Sequence, residues 1–253
     1  MKSIIFSAES VNATFANRKS ATRRVIPERI LDKYYEYDEY CNMVMPTDIP
    51  CEREYEKEFF MGRSPYQPGE TIYVKETIAD LRPANLFTQG GNQIIYKATN
   101  PQYQGLVDSL KEKTGKGWTS ARYMPAAAAR LFILIKSVRP ELLQDITGEQ
   151  CVKEGYARTL DELGDDLCNY CPLPDESKGV RGTPNGYSSC EGSRCPDAYE
   201  RYLEEGAIDE FADKWDELNK KRGYPWGSNP WVWVYEYERT EKVIWLEGSW
   251  RVA

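Results

Sequence analysis

An amine, two hydroxyls and three guanidiniums crowd into Arg18-Lys19-Ser20-Ala21-Thr22-Arg23-Arg24, just ahead of the apolar pair Val25-Ile26. Such groups are costly to bury without partners and useful where they line a pocket. Lys19 and Thr22 are then the candidate chemical groups, and Arg23 and Arg24 are planar donors suited to carboxylates or phosphates. The same composition would equally serve a solvated basic turn leading into a strand. On a regular strand Lys19 and Thr22, three residues apart, point to opposite faces. They converge only where the chain turns or bulges, which the helix end expected at Asn17 permits.

Composition narrows the chemistry. The 253 residues contain no histidine, so the usual general base and the commonest metal ligand are missing, and proton transfer falls to Lys, Thr, Ser, Cys, Glu or Asp. A formal charge of −7 argues against a protein that coats nucleic acid through a broad positive face, while leaving room for a local basic site. The longest apolar stretch, Met124 to Ile135, is interrupted by Pro125 and Arg130 and does not read as a membrane span. The apolar segment Ile4-Ile5-Phe6 is too short for a signal peptide, so a cytoplasmic protein is expected.

Seven cysteines are present, four of them clustered: Cys168-x2-Cys171, then eighteen residues, then Cys190-x4-Cys195. Two close pairs on a Gly/Pro-rich insert suit a closed, structural zinc site, with unligated thiols as the alternative. No organic cofactor is indicated. Cys41, Cys51 and Cys151 read as ordinary buried or partly buried thiols.

These groups must be positioned by the elements around them. Val11, Thr14 and Phe15 recur at helical spacing and end at Asn17, while Arg24-Val25-Ile26 begins a strand that Pro27 stops. The stretch 28–64 is acidic and tyrosine-rich without a sustained period, and reads as an insertion that lays aromatics on the core. Thr71 to Thr77 and Asn92 to Ala98 read as strands, and Arg130 to Val138, apolar on both faces, as the central one. Thr147 and Gln150 form a capping box for a short helix closing at Gly155, with Glu154 in its last turn, where the macrodipole disfavours an anion lacking a tight partner. An amphipathic helix is expected over 207–222, capped by Gly223, then a long strand over 230–239 that Lys242 to Leu246 continues. The pattern predicts an α+β fold built on a small barrel or curled sheet.

Three groups of segments together resemble the ASCH domain family, relatives of the PUA fold, in the longer versions found in phage and prophage genomes. They are Phe6-Ser7-Ala8-Glu9-Ser10-Val11 through Arg18-Lys19-Ser20-Ala21-Thr22-Arg23-Arg24-Val25; Pro68-Gly69-Glu70-Thr71-Ile72-Tyr73-Val74-Lys75-Glu76-Thr77; and Met124-Pro125 and Ala129-Arg130-Leu131 through Asp145-Ile146-Thr147, with Asn229-Pro230-Trp231-Val232-Trp233-Val234 near the end. The resemblance implies one PUA-like domain over 1–253, a β-barrel with flanking helices, interrupted by the insertion 28–64 and by a four-cysteine, zinc-binding insertion over 157–205. It implies a pocket for a nucleobase, nucleoside or RNA in a phage- or prophage-encoded protein of the bacterial host cytoplasm.

One small member type of that family removes the acetyl group from N4-acetylcytidine with a Lys, a Thr three residues later and a distant Glu. By that resemblance Lys19, Thr22 and Glu154 fall on the catalytic positions and Arg24 on the basic residue two after the Thr, with Arg23 an addition to the family's pattern; Arg23, Arg24, Glu76, Trp118, Tyr123 and Arg130 are the expected substrate contacts. A threonine hydroxyl attacks an amide only when a base takes its proton, a task for Lys19, with Glu154 orienting the amine or the hydrolytic water. Two other functions stay open. One is a non-catalytic RNA or modified-base module, in which the basic run meets phosphates while Trp118 or Tyr123 stacks on a base. The other is an RNA-cleaving member of the same fold.

Overall fold

Residues 1–44, 58–88, 90–170, 196–241, 243–246 and 249–252 are described in a computed structural model. Ser7 caps helix α1 (Ala8–Phe15) by accepting from the Ser10 amide, and the helix buries Val11, Ala13 and Thr14. Asn17 ends it in the left-handed conformation (φ 56°) that a short polar side chain tolerates. The amides of Arg18 and Lys19 both fold back onto the Ala13 carbonyl, at 2.8 and 3.1 Å. Lys19 therefore belongs to a helix-terminating turn, and the chain becomes a strand only at β2 (Ala21–Val25).

Strand β1 (Ser3–Ile5) pairs in parallel with β3 (Thr71–Lys75), which pairs antiparallel with β6 (Phe132–Leu142). With β7 (Trp231–Thr240) they make a five-stranded sheet in the order β1-β3-β6-β7-β2. The apolar run around Phe132 takes the middle place, as its two buried faces require. The fold is α+β. The sheet is open, with β1 and β2 as its terminal strands, where a closed barrel was expected.

The chain forms two compact units. The first comprises Met1–Ser20, Pro65–Val138 and Tyr235–Ala253. Besides β1, α1 and β3 it carries the hairpin of β4 (Ile78–Asp80) and β5 (Ile94–Tyr96) and the helix α3 (Gln104–Thr114). Its hairpin side closes around Ala79, Leu81, Ile95, Val107 and Leu110.

The second unit comprises Ala21–Ser64 and Arg139–Val234. It contains α4 (Gly148–Lys153), α5 (Leu160–Leu163), α6 (Pro196–Arg201), a π-helical turn over Tyr202–Gly206, and α7 (Ala207–Asn219). Tyr202, Phe211, Trp215, Cys151 and Val232 share its core.

Two segments depart from expectation. Glu28–Val44 is a helix, here α2, although its sequence shows no clear apolar period. Pro27 opens its first turn, accepting from the Ile30 and Leu31 amides. Ile30 and Tyr34, four apart, share the inward face, and Tyr34 packs on Phe59 and Phe60, the latter stacked on Trp231. Tyrosine does the work of an aliphatic residue here, so a hydropathy period misses it. Val243–Leu246 does not extend β7 but forms its own hairpin with Ser249–Val252. No described helix is long and apolar enough to cross a membrane.

Candidate functional site

In the second unit, Arg23 leaves β2 with a side chain only 1% exposed and meets two carboxylates. Its Nε donates to Glu141 Oε1 at 3.0 Å and its Nη1 to Glu154 Oε1 at 3.1 Å, while Nη2 donates to Glu141 and to Gln150 Oε1. Arg139 donates to the other Glu141 oxygen at 3.1 Å, so two guanidiniums face two carboxylates. The Phe211 ring lies 5.8 Å from the Arg23 guanidinium carbon and closes one side. Buried ions persist only with such pairing.

The capping box positions two members of this cluster. Thr147 accepts from the Gln150 amide, and Gln150 Oε1 accepts from the Thr147 amide as well as from Arg23. One turn later Glu154 is the C-cap of α4, 2% exposed. Arg23 is the tight partner that an anion in this position calls for.

Lys19 and Thr22 are each 3% exposed. The Lys19 amine, in the first unit, lies 5.8 Å from the centre of the Phe6 ring. Thr22 is the neighbour of Arg23 on β2 and so points to the opposite face of the strand. Its hydroxyl makes no hydrogen bond among the described residues. Arg24 is half-buried. Arg23, expected as a substrate contact, is engaged by the protein acceptors Glu141, Gln150 and Glu154.

The remaining expected contacts lie in the first unit. Arg130 donates from Nε and Nη2 to both Glu76 oxygens, each at 2.8 Å. Trp118 donates its indole N–H to Gln104 at 2.9 Å. Tyr123 is 73% exposed, a ring on the surface rather than in a pocket. Of the expected zinc ligands, Cys171, Cys190 and Cys195 lie outside the described residues, as does the Cys168 side chain. Cys51 and the Cys41 side chain lie outside them as well. No metal-binding group occurs among the described residues.

Cys151 lies fully buried on α4. Burial pushes its thiol up to about 12, with Arg23 pulling down and Glu154 pushing up. The protonated thiol is thus favoured by folding, and that contribution, complete below the unfolded value near 9, is lost as pH rises toward 12. Iodoacetamide at pH 8 is expected to leave Cys151 unmodified in the folded chain and to label it once the chain is unfolded, read by peptide mass mapping. Labelling at equal rates in both states would contradict the burial.

Glu141 was not legible as a site residue, since Arg139-Pro140-Glu141 reads as the polar end of a strand. Gln150 was legible only as a cap. What fold and site define is an α+β protein with a largely buried arginine–carboxylate cluster at a sheet-edge strand. Comparison with protein families, with curated proteins and with solved structures finds no match to this chain.

Proposed function

We propose that the chain is an ASCH-type, PUA-like protein that hydrolyses the exocyclic amide of an N-acylated nucleoside such as N4-acetylcytidine. The observation that carries this reading is the burial of Lys19, Thr22 and Glu154, each at most 3% exposed, in a chain with no histidine. A buried amine, hydroxyl and carboxylate are the groups that such a reaction requires where no imidazole exists, and Arg23 supplies the Glu154 carboxylate with a counter-charge in its buried place.

In this mechanism Lys19 takes the Thr22 proton as the hydroxyl oxygen attacks the acyl carbon. The same proton passes to the departing nucleobase amine as the C–N bond breaks. Water then attacks the threonyl ester, releasing acetate and restoring the hydroxyl. Glu154, held by Arg23, orients the lysine and the water, a positioning role that needs a fixed carboxylate rather than a mobile one.

Thr22→Val and Lys19→Met are expected to lower acetate release from N4-acetylcytidine at least about hundredfold, the low end for loss of a positioned proton-transfer group, with the unfolding transition still cooperative. Turnover equal to that of the unaltered protein in both variants would eliminate the mechanism. The alternative of a phosphate-gripping RNA module has less support, because Arg23 is spent inside the protein and the chain carries a charge of −7.

A further inference from the structure

In the first unit a polar cavity of about 510 Å³ opens beside the β4–β5 hairpin, with Arg82, Asn92, Tyr96, Asn100 and Arg130 in its wall. Both guanidiniums are braced by carboxylates. Arg130 binds Glu76 through Nε and Nη2, and Arg82 binds Asp80 through the same two nitrogens at 2.8 and 2.6 Å. Among the described residues, each pairing leaves Nη1 uncommitted. Glu76 is 1% exposed and cannot swing away, and the Arg130 guanidinium lies 3.9 Å from the centre of the Tyr96 ring. That ring is itself pinned, since its hydroxyl donates to the Ala128 carbonyl at 2.9 Å.

Asn100 completes the wall. Its Oδ1 accepts from the Tyr96 amide and the Thr99 hydroxyl, which leaves its NH2 as a donor. Arg130 and Asn100 are thus donors whose ordering cost was largely met on folding, and the Asp80 pairing restrains the more exposed Arg82, the condition under which an anion binds with reduced reorganisation. The hydrogen bond from Arg82 holds the Asp80 carboxyl below its usual range, so that brace stays ionised at neutral pH. Because each cation is neutralised from behind, the field is short-ranged and favours one compact anion over a polyanionic strand.

We infer that this cavity binds a small oxyanion, a carboxylate or a phosphate group carried on a compact polar ligand, through the outward nitrogens of Arg82 and Arg130. The site stands whether or not the chain hydrolyses amides. Calorimetric titration of the full chain with inorganic phosphate, with acetate and with chloride at constant ionic strength tests it. Saturable heat with phosphate or acetate but not with chloride is expected, and which of the two binds identifies the oxyanion.

Arg82→Met removes a guanidinium that is 58% exposed, so folding is spared. Arg130→Lys keeps a cation against Glu76 while losing the fork. Each is expected to weaken the preferred anion about tenfold or more, the loss of one charge-assisted hydrogen bond. No saturation with either oxyanion, or unchanged affinity in Arg82→Met, would overturn the assignment.

Discussion

Arg23→Met destabilises the protein by about 3–5 kcal/mol, the range for removing one partner of a buried ion pair. Methionine fills a comparable volume beside Phe211, so the loss is electrostatic rather than a cavity. Glu154, 2% exposed, would lose the Arg23 guanidinium, and Glu141 would retain Arg139 among the described residues. Denaturant unfolding measures the effect. The same substitution made together with Glu141→Gln and Glu154→Gln should recover most of it, because the carboxylates that lost Arg23 are then neutral and Arg139, 32% exposed, stays hydrated. A loss below about 1 kcal/mol for Arg23→Met, or no recovery in the triple variant, would show that the cluster is not the ionic lock described.

Gly148→Ala is the second large effect. A Cβ on Gly148 would lie 1.9 Å from the Leu203 carbonyl oxygen and 2.7 Å from the Leu203 Cα. Both are backbone atoms of the π-helical turn, so no rotamer relieves the clash and α4 must move. That helix carries Gln150 and leads into Glu154, so the shift loosens the Arg23 cluster as well as the core. A cost of about 3 kcal/mol, the upper end for overpacking, is expected in the same unfolding measurement.

Gly206→Ala gives the contrast. Its Cβ would meet the Tyr170 hydroxyl oxygen at 2.4 Å, the far end of a half-buried side chain that can turn aside, so a smaller loss is expected. Equal losses in the two variants would mean that the backbone approach at Gly148 is not limiting.

Local sequence chemistry was sufficient for several elements. Thr147 carries its helix start because a hydroxyl beside an unpaired amide has only a short-range task. Asn17 and Gly223 end their segments because few residues accept positive φ. The run around Phe132 marked the sheet centre, since only a strand covered on both faces is apolar throughout. The Tyr-rich helix was hidden because Tyr34, which shares its inward face with Ile30, is amphipathic, and the hairpin of Val243–Leu246 because its apolar run looks the same paired with β7 or with Ser249–Val252.

The residue types at the candidate site were thus determined by sequence alone: a buried-capable Lys19, Thr22 and Glu154, a basic run ahead of a strand, and a capping box that fixes Gln150. Which of them touch was decided only by tertiary structure. Arg23 meets Glu141, Gln150 and Glu154 across 118, 127 and 131 residues of chain, and Arg130 meets Glu76 across 54. Side-chain charge is a property of one residue, whereas an ion pair depends on the path of the backbone between two. No local propensity encodes that distance, so one arginine of a run that reads as open to phosphate, Arg23, becomes once folded the buried centre of a carboxylate cluster.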